Sequence, residues 1–430
     1  MIGNSSPRLL VQTREVESIE DLLAYADPRD PLVWLRRGDG IVGIGPLVVE
    51  VSLGGSRPTS AAGAVPDPAD GWRWLTAAAE VDDEVRLPGT GLVAFGAFAF
   101  DARSERSSVL RVPSVIVGKH GGRSWVTSIR RADDPEPAAP VLQPYGPYWS
   151  ATLGPGAMDP AGYQAAVRAG LDAIAGGEVS KVVLARDLVG TVPVGADLRR
   201  LARALSSGYP DTWTFAVDGL IGASPETLVT VSGGTVTARV LAGTASRGAD
   251  ADADTAASLA LATSAKDQDE HQYAVQSVLA VLRPHTSALA ASEQPFMLKL
   301  PNVWHLATDV EGDLSNGESA LDLVAALHPT AAVAGTPTDA AIELIRRLEP
   351  FDRGRYAGPV GWVDANGDGE WAIALRCAQF GAEPIRRFAT YSDTTPVTAH
   401  AGAGIVAGSD PESELLETRV KFRPIVDALA

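Results

Sequence analysis

The sequence predicts a globular α/β or α+β protein, built either as one large unit or as two or three domains. Three observations carry this. At 430 residues, with 45% hydrophobic and 21% charged side chains, the chain can bury a large core and is neither disordered nor a coiled coil. Its first 150 residues carry short apolar or alternating runs separated by turns, which read as sheet with few helices. From about residue 159 onward, stretches of helical periodicity are interleaved with further strand-like runs.

In chain order, the first strand-like runs are Leu32 to Leu35, Ile41 to Val51, Leu92 to Phe100, and Val115 to Ile129 broken at His120-Gly121-Gly122. The stretch Asp133 to Tyr148, with five prolines, reads as a connector. Asp159 is placed to cap a helix starting at Pro160. Its apolar stripe, Tyr163, Val167, Leu171 and Ile174, repeats at intervals of four, four and three before Gly176-Gly177 stops it. A strand from Lys181 to Leu188 follows, then a helix at Leu198 to Leu205, strands at Trp213 to Val217 and Leu220 to Ala223, and a hairpin turning at Gly233-Gly234. The run Ala249 to Asp254, alternating Ala with Asp, reads as a solvated loop. Helices are expected around Ala256 to Ala262, Asp267 to Leu282, Ala320 to Leu327 and Pro337 to Leu348. Strands are expected at Val360 to Val363 and Trp371 to Cys377, and a last helix from Pro411 to Leu429.

Charge and composition narrow the function. Thirty-six basic against 53 acidic residues give a net charge of −17, which disfavours nucleic-acid binding and adhesion to an anionic membrane, so an anionic ligand must be held by local cations. No apolar run reaches the roughly 18 to 20 residues that span a bilayer. Met1 to Arg14 lacks the pattern of an export signal, and the expected location is the cytoplasm. The single cysteine, Cys377, lies in an apolar run, reads as a buried thiol, and excludes an internal disulfide or a multi-cysteine metal site. Two motif matches fail. Gly38-Asp39-Gly40-Ile41-Val42-Gly43 is followed by Ile44-Gly45-Pro46, so it reads as a hairpin turn instead of a dinucleotide loop leading into a helix. Asp364, Asn366, Asp368 and Gly369 imitate a calcium loop whose twelfth position, Leu375, cannot ligate, leaving a β-turn.

Several residues have both a structural and a chemical reading. Lys181 opens an apolar strand, where it is either an exposed lysine or, if desolvated, a neutral amine able to act as a base. Glu226 ends Leu220 to Ala223 and Ser224-Pro225, as a turn glutamate or an acid. Glu270 lies in the first part of a helix whose buried stripe is His271, Val275, Val278 and Leu282, so it faces away from that stripe, either complementing the helix dipole or serving a site. Glu414 and Glu417 share one side of the last helix, which is either a solvated face or part of a site.

The ordered strings Lys181-Val182-Val183-Leu184-Ala185-Arg186, Gly222-Ala223-Ser224-Pro225-Glu226, Leu241-Ala242-Gly243-Thr244, Asp269-Glu270-His271 and Trp304-His305-Leu306-Ala307-Thr308 resemble the chorismate-utilising enzymes, the family of isochorismate, salicylate, anthranilate and aminodeoxychorismate synthases. So do His328-Pro329-Thr330, Leu348-Glu349-Pro350-Phe351-Asp352-Arg353, Ala401-Gly402-Ala403-Gly404-Ile405-Val406, and Glu417 with Lys421. The match runs from about residue 160 to the C-terminus. It implies an α+β sandwich of two large, mainly antiparallel sheets with helices outside, in which residues 1–150 are a β-rich part integrated with the catalytic region, 151–430.

The resemblance also implies roles. Lys181 would be the base activating water for attack at C2 of the chorismate ring, and Glu226 the acid protonating the departing C4 hydroxyl. Mg²⁺ held through Glu270 and Glu417, with Glu414 behind them, would grip the ring carboxylate. Arg376, Lys421 and the backbone at Gly402 and Gly404 would clamp the enolpyruvyl carboxylate, while Gly243, Thr244, His305 and Ala332 line the pocket. Ammonia-using members usually carry glutamine in place of Lys181, and the aminodeoxychorismate type has lysine in place of Ala242. This chain is therefore expected to use water, to work without a glutaminase partner, and to be an isochorismate synthase of menaquinone or siderophore biosynthesis; the alternatives are a salicylate synthase, then an anthranilate or aminodeoxychorismate synthase component, and, outside enzymes, a non-catalytic binding protein that kept the fold. A monomer or weak homodimer is expected. Two departures from the family pattern are the segment Ala389 to His400 and His400 itself, where an aromatic residue is usual.

Overall fold

The computed structural model describes residues 8–53, 68–381 and 393–430; the first part of the Ala389 to His400 segment, up to residue 392, lies outside them. Local signals read from the sequence are obeyed closely. Asp159 accepts a hydrogen bond from Gly162 N at 2.7 Å and caps the Pro160–Ala175 helix, an interaction worth about 1 kcal/mol. The Gly233-Gly234 hairpin and the Ala320–Leu327 helix fall where expected, and the Gly38 motif is the turn joining Leu32–Arg36 to Asp39–Leu53. No helix among the described residues is long and apolar enough to cross a membrane.

Hydrogen bonding joins the strands into a network that branches at Ser108–His120. One arm runs outward through Asp39–Leu53, Leu32–Arg36, Trp213–Val217, Leu220–Ser224, Cys377–Phe380 and Thr394–Ile405 to Lys181–Pro193. The other runs through Val93–Ala97, Pro359–Asp364, Gly369–Ile373, Thr227–Ser232 and Thr235–Ser246 to Val303–Leu314. All these pairings are antiparallel. The two arms are the two sheets of the sandwich. Their inner faces meet through Trp34, Phe215, Trp362 and Trp371, and Trp34 Nε1 of one arm donates to Glu370 Oε2 of the other at 2.8 Å. Alternation along each strand sends neighbouring residues outward. Val33, Leu35, Ala216 and Ile221 pack beneath Leu201 and Leu205 of the Arg199–Gly208 helix and Phe422 and Ile425 of the Pro411–Leu429 helix.

Two expectations are corrected. Trp371 to Cys377 is not one strand: Gly369–Ile373 ends in one arm, Cys377–Phe380 begins in the other, and Ala374, Leu375 and Arg376 carry the chain across, with Arg376 at φ 49°. A run that is apolar except at Arg376 hides this corner, because both flanking strands are buried. Nor is Ala249 to Asp254 a loop. The Ala251–Thr263 helix starts inside it, capped by Asp250, and Asp254 turns inward to Arg247 and Trp304 at 2.6 and 2.9 Å. The acidic residues that suggested solvation are an N-cap and a first turn.

Opposite Thr394–Ile405, the Lys181–Pro193 strand meets two short strands, Gly335–Thr336 at Lys181 and Val182 and Gly154–Pro155 at Leu188 and Val189, and side chains close the edge between them. Arg353 donates to Val183 O at 2.7 Å and Glu349 accepts from Ala185 N at 2.8 Å. The two also bind each other at 2.6 and 2.8 Å, almost wholly buried, with the guanidinium over the Phe100 ring. Arg353→Leu would leave Glu349 as a buried, uncompensated charge. Urea unfolding should show a loss of about 3–5 kcal/mol; a loss below about 1 kcal/mol would mean the pair is not what anchors this edge.

Candidate active site

At the corner where the chain crosses between arms, the residues singled out from the sequence line one cavity of about 320 Å³. Lys181 reaches it as the first residue of its strand and donates from Nζ to Glu270 Oε1 at 2.7 Å. Glu270 comes from the Ala265–Leu282 helix, whose N-cap is Ser264. The next residue, His271, is buried between Ala242 O and Thr308 Oγ1, so the helix turns Glu270 towards Lys181. Gly404 pairs with Val183 directly below. A Cβ there would stand 3.0 Å from Lys181 Cε and 3.2 Å from Glu270 Oε1, so glycine makes room for the pair.

Glu226 sits at a second crossing, between Leu220–Ser224 of one arm and Thr227–Ser232 of the other. Ser224 Oγ donates to Ile373 O at 2.5 Å and accepts from Glu226 N at 3.3 Å, fixing the turn. Burial pushes the Glu226 carboxyl up to about 7, against the opposing pull of Lys181, Lys421 and Arg376. A carboxyl in this state still holds its proton near neutral pH. Arg376 projects into the same cavity from its own crossing, and among the described residues it makes no salt bridge or side-chain hydrogen bond. Burial lowers its pKa, yet a guanidinium stays charged, and this one is available to a ligand carboxylate.

The C-terminal helix supplies Glu414, Glu417 and Lys421. Lys421 Nζ donates to Gly402 O at 2.9 Å and pairs with Glu417 at 2.5 Å. Gly243, at φ 79°, forms a bulge between Ala242 and Thr244 in the pairing with Val303–Leu314, which sets Thr244 opposite His305. Burial, then the charges of Arg376 and Lys421, push His305 down to about 3, so its ring is neutral. Its Nδ1 lies 3.0 Å from Thr244 Oγ1, while buried Nε2 has no partner among the described residues. Ala332 also lines the cavity.

The chemistry of these donors suits a hard dication. Glu270 and Glu417 offer oxygens, while no group of three or more His, Cys, Asp or Glu side chains among the described residues is assembled as a ready cage. Two protein carboxylates completed by substrate oxygen and water is a habit of Mg²⁺. His400 does not join the cavity wall. It stacks between Phe351 and Tyr356, with ring centroids 5.1 and 5.2 Å away, and lines a different cavity. Sequence reasoning missed Asp267 and Tyr356 as lining residues. Asp267 looks like an ordinary first-turn acid, and Tyr356, on an irregular loop, has no periodicity to distinguish it from a core aromatic.

A family model described as chorismate binding enzyme matches residues 59–430. The chain is 42% identical over 283 residues to isochorismate synthase DhbC of Bacillus subtilis (strain 168), covering 63% of this chain and 68% of that one. It is 39% identical over 355 residues to the MenF protein of Mycobacterium tuberculosis (strain ATCC 25618 / H37Rv), covering 79% and 87%. The crystal structure of the DhbC protein of Bacillus anthracis superposes with a TM-score of 0.73 at 30% identity, covering 95% of this chain and 98% of that one.

The state of Glu226 has a consequence for stability. Because the fold raises its pKa from 4.5 to about 7, the folded protein binds this proton more tightly than the unfolded chain. That stabilisation is complete below 4.5 and is lost as pH rises through 7. Glu226→Gln should therefore match the wild type near pH 4 and exceed it at pH 8, by on the order of 2–3 kcal/mol. Urea unfolding at the two pH values measures the difference, and equal stabilities at pH 8 would place the carboxyl in its ordinary range.

Proposed function

The chain belongs to the chorismate-binding enzyme family, and on that premise we propose that it is an isochorismate synthase, an isomerase that converts chorismate reversibly to isochorismate. The observation that carries this reading is the presence, in one cavity, of a carboxyl that keeps its proton to about pH 7 and a lysine amine. Such a pair can remove a proton from one oxygen while giving one to another. Lys181 accepts the proton of the water that attacks C2, and Glu226 gives its proton to the C4 hydroxyl, which leaves as water. The amine gains what the carboxyl loses, so the reaction needs no external proton. Glu270 accepts from Lys181 in the structure; once its oxygens are engaged elsewhere, the carboxylate no longer favours the ammonium, which releases a proton to solvent and leaves the neutral amine to act as the base.

Chorismate carries two carboxylates, and the cations of the cavity sort them. Arg376 and Lys421, with the backbone at Gly402 and Gly404, take the enolpyruvyl carboxylate. Glu270 and Glu417, backed by Glu414, hold Mg²⁺. When bound, that ion neutralises the ring carboxylate, which would otherwise face like charges. Gly243, Thr244 and neutral His305 line the ring pocket, where His305 Nε2 offers a hydrogen-bonding atom that no group among the described residues uses. Lys181 and Ala242 favour water over ammonia, so no glutaminase is required. The kinship with isochorismate synthase DhbC supports the same product. Ala332 supports release of isochorismate before pyruvate is eliminated, since it offers no hydroxyl to hold the ring. The enzyme serves menaquinone or siderophore biosynthesis in the cytoplasm. Residues 1–150 form one unit with 151–430, a reading supported by the pairing of Leu32–Arg36 with Trp213–Val217 and of Val93–Ala97 with Pro359–Asp364.

Incubation with chorismate and Mg²⁺, followed by chromatography, should show isochorismate approaching equilibrium with substrate from either side. Stoichiometric pyruvate and salicylate would instead identify a salicylate synthase. Lys181→Ala should reduce kcat by about 10²–10⁴ with the fold intact; retention of more than about a tenth of the wild-type rate would remove Lys181 from the mechanism. EDTA should stop turnover and Mg²⁺ restore it, and full activity in metal-free protein would refute the assignment of Glu270 and Glu417.

A further inference from the structure

Glu226 and Ala332 belong to two cavities. Besides the one described, they line a second of about 20 Å³, walled mainly by apolar groups such as Leu228, Val240, Ala274 and Val278. Thr330 is also in that wall, and its Oγ1 is buried without a hydrogen-bond partner among the described residues. The Glu226 carboxyl is likewise subject to burial and to neighbouring charges, and among the described residues it receives no hydrogen bond. A volume of about 20 Å³ exceeds the roughly 10–15 Å³ a single water requires, and a water is held when it finds two to four polar partners.

We propose that one water occupies this small cavity, hydrogen-bonded to Thr330 Oγ1 and to the Glu226 carboxyl, and that through it Thr330 positions the acid. The inference rests on the reading of Glu226 as the proton donor. A water bonded to one carboxyl oxygen restricts rotation of the group, so the other oxygen keeps its proton towards the substrate cavity. The same water donates to the carboxylate that remains after the proton has left. The charged groups around Glu226 are Lys181 from the strand, Lys421 from the C-terminal helix and Arg376 from the crossing. Lys181 and Lys421 are paired with Glu270 and Glu417, while Arg239, in the wall of the small cavity, is held by Asp309 at 2.6 Å. Removing the Thr330 hydroxyl alters none of these charges, so any change in the titration of the acid must pass through the water.

Thr330→Val keeps the shape and removes the hydroxyl. Loss of a hydrogen bond to the charged form disfavours that form, so the alkaline limb of kcat/KM should move up by about half a pH unit or more. kcat should fall roughly tenfold, and Thr330→Ser should restore both values. Coincident profiles for wild type and Thr330→Val would overturn the proposal. If Thr330→Val does not fold, a high-resolution crystal structure of the wild type decides: a water within hydrogen-bond distance of both groups supports the proposal, and an empty cavity or a water touching only one overturns it. Wild type that forms no isochorismate would refute the functional reading, with the crystallographic arm still deciding the water; active wild type indifferent to Thr330 would refute the water alone.

Discussion

The chain crosses from one arm of the sheet to the other twice in the same place, and the site depends on those crossings. One lies between Leu220–Ser224 and Thr227–Ser232, the other between Gly369–Ile373 and Cys377–Phe380. They are held side by side because Gly222 pairs with Cys377 and Thr227 with Ala372. At a corner of this kind the ladder is interrupted, so a residue there need not alternate between core and solvent. Glu226 occupies the first corner and Arg376 the second. Close packing beneath them leaves little freedom: a Cβ on Gly222 would stand 2.4 Å from Cys377 Cβ and 2.9 Å from Arg376 O. The burial that gives the acid its pKa and the placing of the cation beside it therefore have one geometric cause.

Lys181 is held by a different device. Opposite Thr394–Ile405, its strand is covered at Lys181 and Val182 by Gly335–Thr336 and at Leu188 and Val189 by Gly154–Pro155, and the backbone groups between them need other partners. Glu349 and Arg353 supply these hydrogen bonds with side chains, at Ala185 N and Val183 O, while the Lys181 side chain lines the cavity. A buried ion pair is a poor source of net stability, because desolvation offsets most of its attraction. Its use here is positional: it completes the edge of the strand that carries Lys181.

What could be read from the sequence follows from the range of the interactions involved. Asp159 before Pro160, Gly233-Gly234 between strand-like runs, and the Ala320–Leu327 helix are decided within a few residues, and each appears where local chemistry puts it. The sheet order and the convergence of Lys181, Glu226, Glu270, Arg376 and Glu417 depend on pairings across hundreds of residues. Taken alone, each of these side chains is as compatible with a solvated surface as with a site; only the ordered family strings tie them together. The corner at Arg376 was invisible because strands on both sides of it are equally apolar. The turn of Asp254 towards Arg247 and Trp304 was invisible because it needs a partner fifty residues away.

Buried polar groups in this protein fall into two kinds, and the distinction identifies the site without reference to relatives. Glu370 is a half-buried carboxylate whose Oε2 accepts from two indoles, Trp34 and Trp362, at 2.8 and 3.1 Å, so it is held by protein partners and its work is to tie the two arms. Glu349 and Arg353, almost wholly buried, are partnered by each other. Around the 320 Å³ cavity, beside the paired Lys181 and Lys421, other groups stand apart: among the described residues Arg376 has no anionic partner and His305 Nε2 no hydrogen-bond partner, and Glu226 keeps a proton in order to remain buried. Unpaired polar groups also occur elsewhere, for example at Trp125 Nε1 and Gln379 Oε1, so one such atom is weak evidence. Several of differing chemistry facing one enclosed space are strong evidence, because the folded protein alone gains nothing from leaving them unpaired together. Their cost is offset only when a ligand brings the missing partners, and a dicarboxylate with ring hydroxyls brings all of them at once.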